Sequence, residues 1–244
     1  LVRLDFHSSN DTGVIIDLST GVISNDGYGN SETITGQIWE VRATSLNDRI
    51  VGSEENESFI LMSGNDTLDG GAGFDRIRYD RSGVENGINA DLAEGVITGV
   101  WSGQNFQHFV DSIERVRGSD GDDIIIGDEF DNRMEGYAGN DSIYGGQGDD
   151  TLYGGDGDDR LFGGDGTDEL VGGTGDDYIN PGDNSDWDYI VAGAGSDTID
   201  LSDLQIGYVH LSYDRLSSGV VANIDGVESL GDISKSSGGS DTII

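Results

Sequence analysis

The chain has 244 residues, 41 of them Gly, with one Pro and no Cys, and its 48 acidic against 12 basic side chains give a formal charge of −36. Charge of that sign excludes nucleic acid and anionic membrane surfaces as partners, because binding either requires basic counter-charge. It makes cations the natural partners. No apolar run approaches the roughly 18 residues of a membrane span, and without Cys no disulfide can staple a small core.

The chain opens LVRLDFHSS, with neither an initiator Met nor the basic and apolar regions of a signal peptide, and closes GGSDTII inside a repeat; it reads as a piece of a longer protein. Near its start, VIIDLSTGVI (14–23) alternates Val14, Ile16 and Leu18, the pattern of a strand with one buried face. A nonapeptide-like stretch follows over 43–60, with Asp48 and Glu57 in equivalent places. Much of this recurs about 75 positions later: INADLAEGVI (88–97) resembles 14–23, IERVR (113–117) has the spacing of IWEVR (38–42), and AGND (138–141) matches SGND (63–66). Residues 1–78 and 79–153 are thus two copies of one cassette, and VHLSYDRLSSGVVANIDGVESL (209–230) opens a third. The expected organisation is 1–78, then 79–200 with the main repeat array, then a truncated 201–244, in one continuous solenoid. Helix signals are weak, because Gly recurs too often and no long 3.6-residue period survives.

From Gly118 the chain falls into nines: GSDGDDIII, GDEFDNRME, GYAGNDSIY, GGQGDDTLY, GGDGDDRLF, GGDGTDELV and GGTGDDYIN. In these seven nonads position 4 is Gly six times, position 6 is Asp six times, and position 8 is always apolar, as Ile125, Met134, Ile143, Leu152, Leu161, Leu170 and Ile179. Two more, 183–191 and 192–200, keep the register after an insertion at Pro181-Gly182. Fixed-period self-similarity means a solenoid. Gly at positions 1, 2 and 4 allows positive φ and close backbone approach, so the first six residues are expected to turn and the last three to form a short strand with position 8 inward. One nonad is then half a coil, and nonad n stacks on nonad n+2.

Stacked strands lie about 4.8 Å apart, so position-6 carboxylates of successive coils would repel across about that distance. Ca²⁺ takes oxygen ligands at about 2.3–2.6 Å, so an ion between two turns fits the gap, with carbonyls of the Gly-rich turns completing its shell. The pairs on one edge are Asp123 with Asp141, Asp141 with Asp159, and Asp159 with Asp177; Asp150 pairs with Asp168 on the other, and Asn132 offers Asp150 an uncharged carbonyl.

These nonads resemble GGxGxDxUx, the signature of the RTX (repeats-in-toxin) family, over 118–200, with shorter stretches at 61–78 and 236–244. The resemblance implies an all-β chain folded as a right-handed parallel β-roll with several Ca²⁺ ions in its turns, exported unfolded by type I secretion machinery through a parent protein. It extends the metal-site candidates to Asp66, Asp75, Asp188 and Asp197 and to the turn glycines Gly139, Gly146, Gly148, Gly155, Gly157, Gly164, Gly166, Gly173 and Gly175. The expectation is a Ca²⁺-binding, non-enzymatic module of a secreted bacterial protein that folds outside the cell. The alternative is an adhesive or polysaccharide-binding module, like the accessory modules of alginate epimerases, with a glycan or cell surface as partner.

Other features read plainly. Position-5 acids (Asp122, Asp149, Asp158, Asp176) suggest a solvated rim. No EF-hand loop, H-E-x-x-H or G-x-S-x-G occurs, and His7, His108 and His210 lie far apart in sequence. Tyr144 and Phe162, at position 9 two nonads apart, should stack on an outer face near Arg160 and Tyr178; ladder packing accounts for that, and a sugar platform is the other reading.

Overall fold

The computed structural model describes residues 2–8, 11–80, 83–182, 187–202, 208–212, 221–223 and 242–243. Among these there is no helix, and therefore none long and apolar enough to cross a membrane, which says nothing of a strand-built barrel. Short strands stack in parallel as the coils of a β-solenoid. The chain divides into two compact units, Leu1–Ser119 and Asp120–Ile244.

In the N-terminal unit one sheet runs Val2–Asp5, Ile38–Arg42, Ser58–Ile60, Arg76–Arg78 and Arg115–Arg117, each parallel to the next. The facing strands Ile15–Asp17, Arg49–Ser53, Thr67–Gly71 and Gln104–Asp111 also pair in parallel. The duplicated stretches 14–23 and 88–97 bring antiparallel additions to this second sheet: Ile15–Asp17 turns back into Val22–Asn25, and Val84–Asp91, Val96–Trp101 and Gln104–Asp111 form a meander. Their alternation buries Val14, Ile16, Ile88, Ala90 and Ile97 completely or nearly so.

In the C-terminal unit, nonad n stacks on n+2 as the period requires. Ile143 lies opposite Leu161 and Leu152 opposite Leu170. The position-8 residues Ile125, Met134, Ile143, Leu152, Leu161, Leu170 and Ile179 are fully buried and form the core. Ile124–Ile126, Tyr178–Asn180 and Thr198–Asp200 keep the expected three residues. The strands between them are longer: Thr151–Asp156, Arg160–Asp165 and Glu169–Thr174 span six, so the Gly-Gly pair lies inside the strand. The reason is the two-residue alternation of a strand: with Leu152 inward, Gly154 is inward too, at a place where no side chain has room.

The insertion also sits differently. Gly182 stacks on Gly164, so Pro181 and Gly182 fill positions 1 and 2, and the offset between stacked carboxylates grows from 18 to 20 residues at Asp168 and Asp188. Of the third cassette, the strands Tyr208–Ser212 and Val221–Asn223 are described, and most of 209–230 and of 236–244 lies outside the described residues.

Candidate metal centre

The position-6 carboxylates point into the solenoid. Asp66, Asp75, Asp123, Asp141, Asp150, Asp159, Asp168, Asp177, Asp188 and Asp197 are each at most 2% exposed. In these columns Oδ1 accepts the backbone N–H of the position-6 residue one coil earlier: Asp123 donates to Asp141, Asp141 to Asp159, Asp159 to Asp177, Asn132 to Asp150 and Asp150 to Asp168, all at 2.7–2.9 Å. The structure therefore joins the pairs that the nine-residue period implies. Asp168 and Asp177 continue the columns to Asp188 and Asp197 at 3.0 Å. In the N-terminal unit Asp48 donates to Asp66 and Glu57 to Asp75 in the same way.

The second oxygen is the chemically significant one. Oδ2 of Asp66, Asp75, Asp141, Asp150, Asp159, Asp168, Asp177 and Asp197 is buried with no hydrogen-bond partner among the described residues. A buried carboxylate oxygen without a partner is costly, and the group escapes that cost by taking a proton or a cation. Burial first, then repulsion from neighbouring carboxylates, pushes Asp141, Asp150 and Asp177 up to about 8. Asp75 and Asp168 rise to about 7 and Asp159 to about 6 for the same reasons.

Where position 1 is Gly, the orphaned oxygen borders a small cradle. A Cβ on Gly154 would lie 2.2 Å from Asp159 Oδ2 and 2.6 Å from the carbonyl oxygen of Gly172, one coil further on. The same carboxylate-plus-carbonyl arrangement recurs at Gly136, Gly145, Gly163 and Gly172. Gly155 adopts φ 125° and approaches the Tyr137 carbonyl, which a side chain would obstruct. Gly157, Gly166 and Gly175, at position 4, take positive φ as well and pass close to carbonyl oxygens of the previous coil. Among the described residues no three carboxylate or imidazole groups converge on one point. The donor set is one carboxylate with backbone carbonyls, all oxygen, which suits a hard divalent cation such as Ca²⁺.

The position-5 acids are exposed but not idle. Asp122 Oδ1 accepts the N–H of Asn140, Asn140 Oδ1 that of Asp158, and Asp158 Oδ1 that of Asp176, at 2.8–2.9 Å. Asp131, Asp149 and Thr167 form the matching row on the other edge. In this outer row the side chain bonds the next coil, and in the inner row the previous one. Sequence reasoning missed it, although the near-constant Asp or Asn at position 5 was the available signal: both carry the Oδ1 that the row uses.

The remaining side chains fall as follows. Tyr144 and Phe162 stack at 4.8 Å with planes 3° apart, and Phe162 meets Tyr178 at 5.7 Å. His7 pairs with Asp5, His210 stacks on Tyr189, and His108 is fully buried beside Tyr79 and Asp66. Burial pushes His108 down to about 3, so its ring is neutral.

A family model described as the RTX calcium-binding nonapeptide repeat matches residues 42–77, 117–152, 144–179, 153–187 and 183–203, together about half of the chain. No curated protein matches it.

Proposed function

Because this chain belongs to the RTX calcium-binding nonapeptide-repeat family, we propose that it is the calcium-responsive β-roll module of a secreted bacterial protein, ordered by Ca²⁺ outside the cell. The observation that carries this reading is the column of buried Asp Oδ2 atoms without partners, which at Gly136, Gly145, Gly154, Gly163 and Gly172 face a carbonyl of the next coil. Oδ2 of Asp75, Asp141, Asp150, Asp159, Asp168, Asp177 and Asp197 would hold the ions, with Asp188 in the same column and carbonyls such as that of Gly172 beside them. A bound divalent ion supplies the positive charge that removes the need for protonation and cross-links successive turns.

Residues 120–200 carry 23 acidic and two basic side chains, so this stretch has almost no counter-charge of its own. Extracellular modules bind Ca²⁺ at roughly 10⁻⁴–10⁻³ M, far above cytosolic levels, which would keep the chain unfolded before export by type I secretion. Circular dichroism in EDTA and then in millimolar Ca²⁺ tests the reading. A strand spectrum should appear with Ca²⁺, and one that persists unchanged in chelator at neutral pH would overturn it.

The Tyr144–Phe162 stack, with Tyr144 39% exposed, favours a second reading as a glycan-binding module. Loss of glycan-array binding in Ca²⁺ on Tyr144→Ala and Phe162→Ala would support it, and absence of any glycan binding by the native chain would remove it.

A further inference from the structure

The turns are of two kinds, and position 2 separates them. In the turns that carry Asp75, Asp141, Asp150, Asp159, Asp168, Asp177 and Asp197, position 2 is Gly71, Tyr137, Gly146, Gly155, Gly164, Gly173 and Gly193, all with φ between 89° and 126°. Tyr137 adopts φ 89° in spite of its side chain, so the conformation belongs to the turn and not merely to glycine. Two position-2 N–H groups here find partners other than the position-6 carboxylate of their own turn. That of Gly164 donates to the Pro181 carbonyl at 3.0 Å, and that of Gly71 to Asp69 at 3.1 Å.

Three turns are closed by a position-2 N–H instead. Where position 2 is Thr44, Ser53 or Asp128, φ is not positive, and the N–H donates to the position-6 side chain of its own turn. Thr44 donates to Asp48 Oδ2 at 2.9 Å, Ser53 to Glu57 Oε2 at 3.2 Å, and Asp128 to Asn132 Oδ1 at 2.9 Å. Hydroxyls strengthen two of these closures, from Thr44 to Asp48 Oδ1 and from Ser53 to Glu57 Oε1. The turn of Asp66, with Met62 at position 2 and again no positive φ, is not closed in this way: His108 Nε2 donates to the Met62 carbonyl at 3.1 Å, and Asp66 Oδ2, 3.2 Å from that nitrogen, has no hydrogen-bond partner among the described residues.

We propose that the backbone at position 2 decides whether a turn takes a cation: turns with positive φ there bind Ca²⁺, whereas those of Asp48, Glu57 and Asn132, closed by their own position-2 N–H, take none. The inference rests on the reading of the inward carboxylates as calcium ligands and assigns which of them serve.

The test is Ca²⁺ stoichiometry of the full chain by equilibrium dialysis at saturating metal, for the native protein and for Asp48→Asn, Glu57→Gln and Asp159→Asn. Asp48→Asn and Glu57→Gln should keep the native count, and Asp159→Asn should lose at least one ion. Loss of an ion in Asp48→Asn or in Glu57→Gln, alongside loss in Asp159→Asn, overturns the assignment and leaves the calcium reading standing. An unchanged count in all three variants overturns the calcium reading of the carboxylate column and the assignment with it. If Asp48→Asn does not fold, Glu57→Gln alone decides.

Discussion

Asp158 and Asp159 are neighbours with different tasks. Asp159 gives Oδ1 to the Asp141 N–H and keeps Oδ2 in the cradle, whereas Asp158, on the surface, gives Oδ1 to the Asp176 N–H. Asp158→Ala should cost about 1 kcal/mol, the net worth of one hydrogen bond, and leave Ca²⁺ binding intact. Asp159→Ala should reduce the number of ions bound. Calorimetric titration of both variants checks this, and equal losses would mean that the inward register is misplaced by one residue. Gly154→Ala probes the same cradle from the other side. Gly154 is not among the positive-φ glycines, so Ala is acceptable to the backbone, but its Cβ would lie 2.2 Å from Asp159 Oδ2. Weaker Ca²⁺ binding is expected, and an unchanged isotherm would place the ion elsewhere.

A single coil edge is a column of carboxylates, and its response to pH follows from the direction of their shifts. Asp141, Asp150, Asp168 and Asp177 stand at about 7 to 8 in the folded chain, above the 3.8 of a free carboxyl. Groups raised on folding contribute stability that is fully present below the unfolded value and is lost as pH rises through the folded one. In chelator the roll should therefore hold more strand at pH 4 than at pH 8. With Ca²⁺ the order reverses, because the metal requires the ionised form. Circular dichroism across this range in both media provides the check; a chelated protein equally unstructured at pH 4 and pH 8 would show that protonation cannot stand in for the cation.

At the scale of the whole molecule, counter-charge is unevenly distributed. Eight of the 12 basic residues fall within 1–119, where Arg78 and Arg117 meet Asp80 and Arg3 meets Glu40. The nonads bury one position-8 side chain each, too little to offset backbone ordering of roughly 1–2 kcal/mol per residue, while the antiparallel additions around 14–23 and 88–97 bury several apolar residues together. The N-terminal unit should nucleate and the nonads propagate, as in a one-dimensional array. A fragment of residues 118–200 should need markedly more Ca²⁺ to fold than the intact chain. Matching midpoints would show that the nonads nucleate themselves.

The sequence by itself determined the period, the stacking of n on n+2, the buried column from Ile125 to Ile179 and the inward carboxylates with their pairings, because a nine-residue repeat leaves one geometry that buries position 8 and aligns position 6. It also placed Tyr144 on Phe162. What it could not decide depends on contacts made across coils. The position-5 row needs the N–H of a residue 18 places away, the Gly-Gly pair enters the strand because Asp Oδ2 occupies the space a side chain would use, and His108 reaches Asp66 from 42 residues further along the chain through a meander whose pairing no local pattern specifies. Position 6 reads as the same acid in the turns of Asp48 and Asp159. Only the folded backbone at position 2, and the donor that reaches the second oxygen, tells them apart.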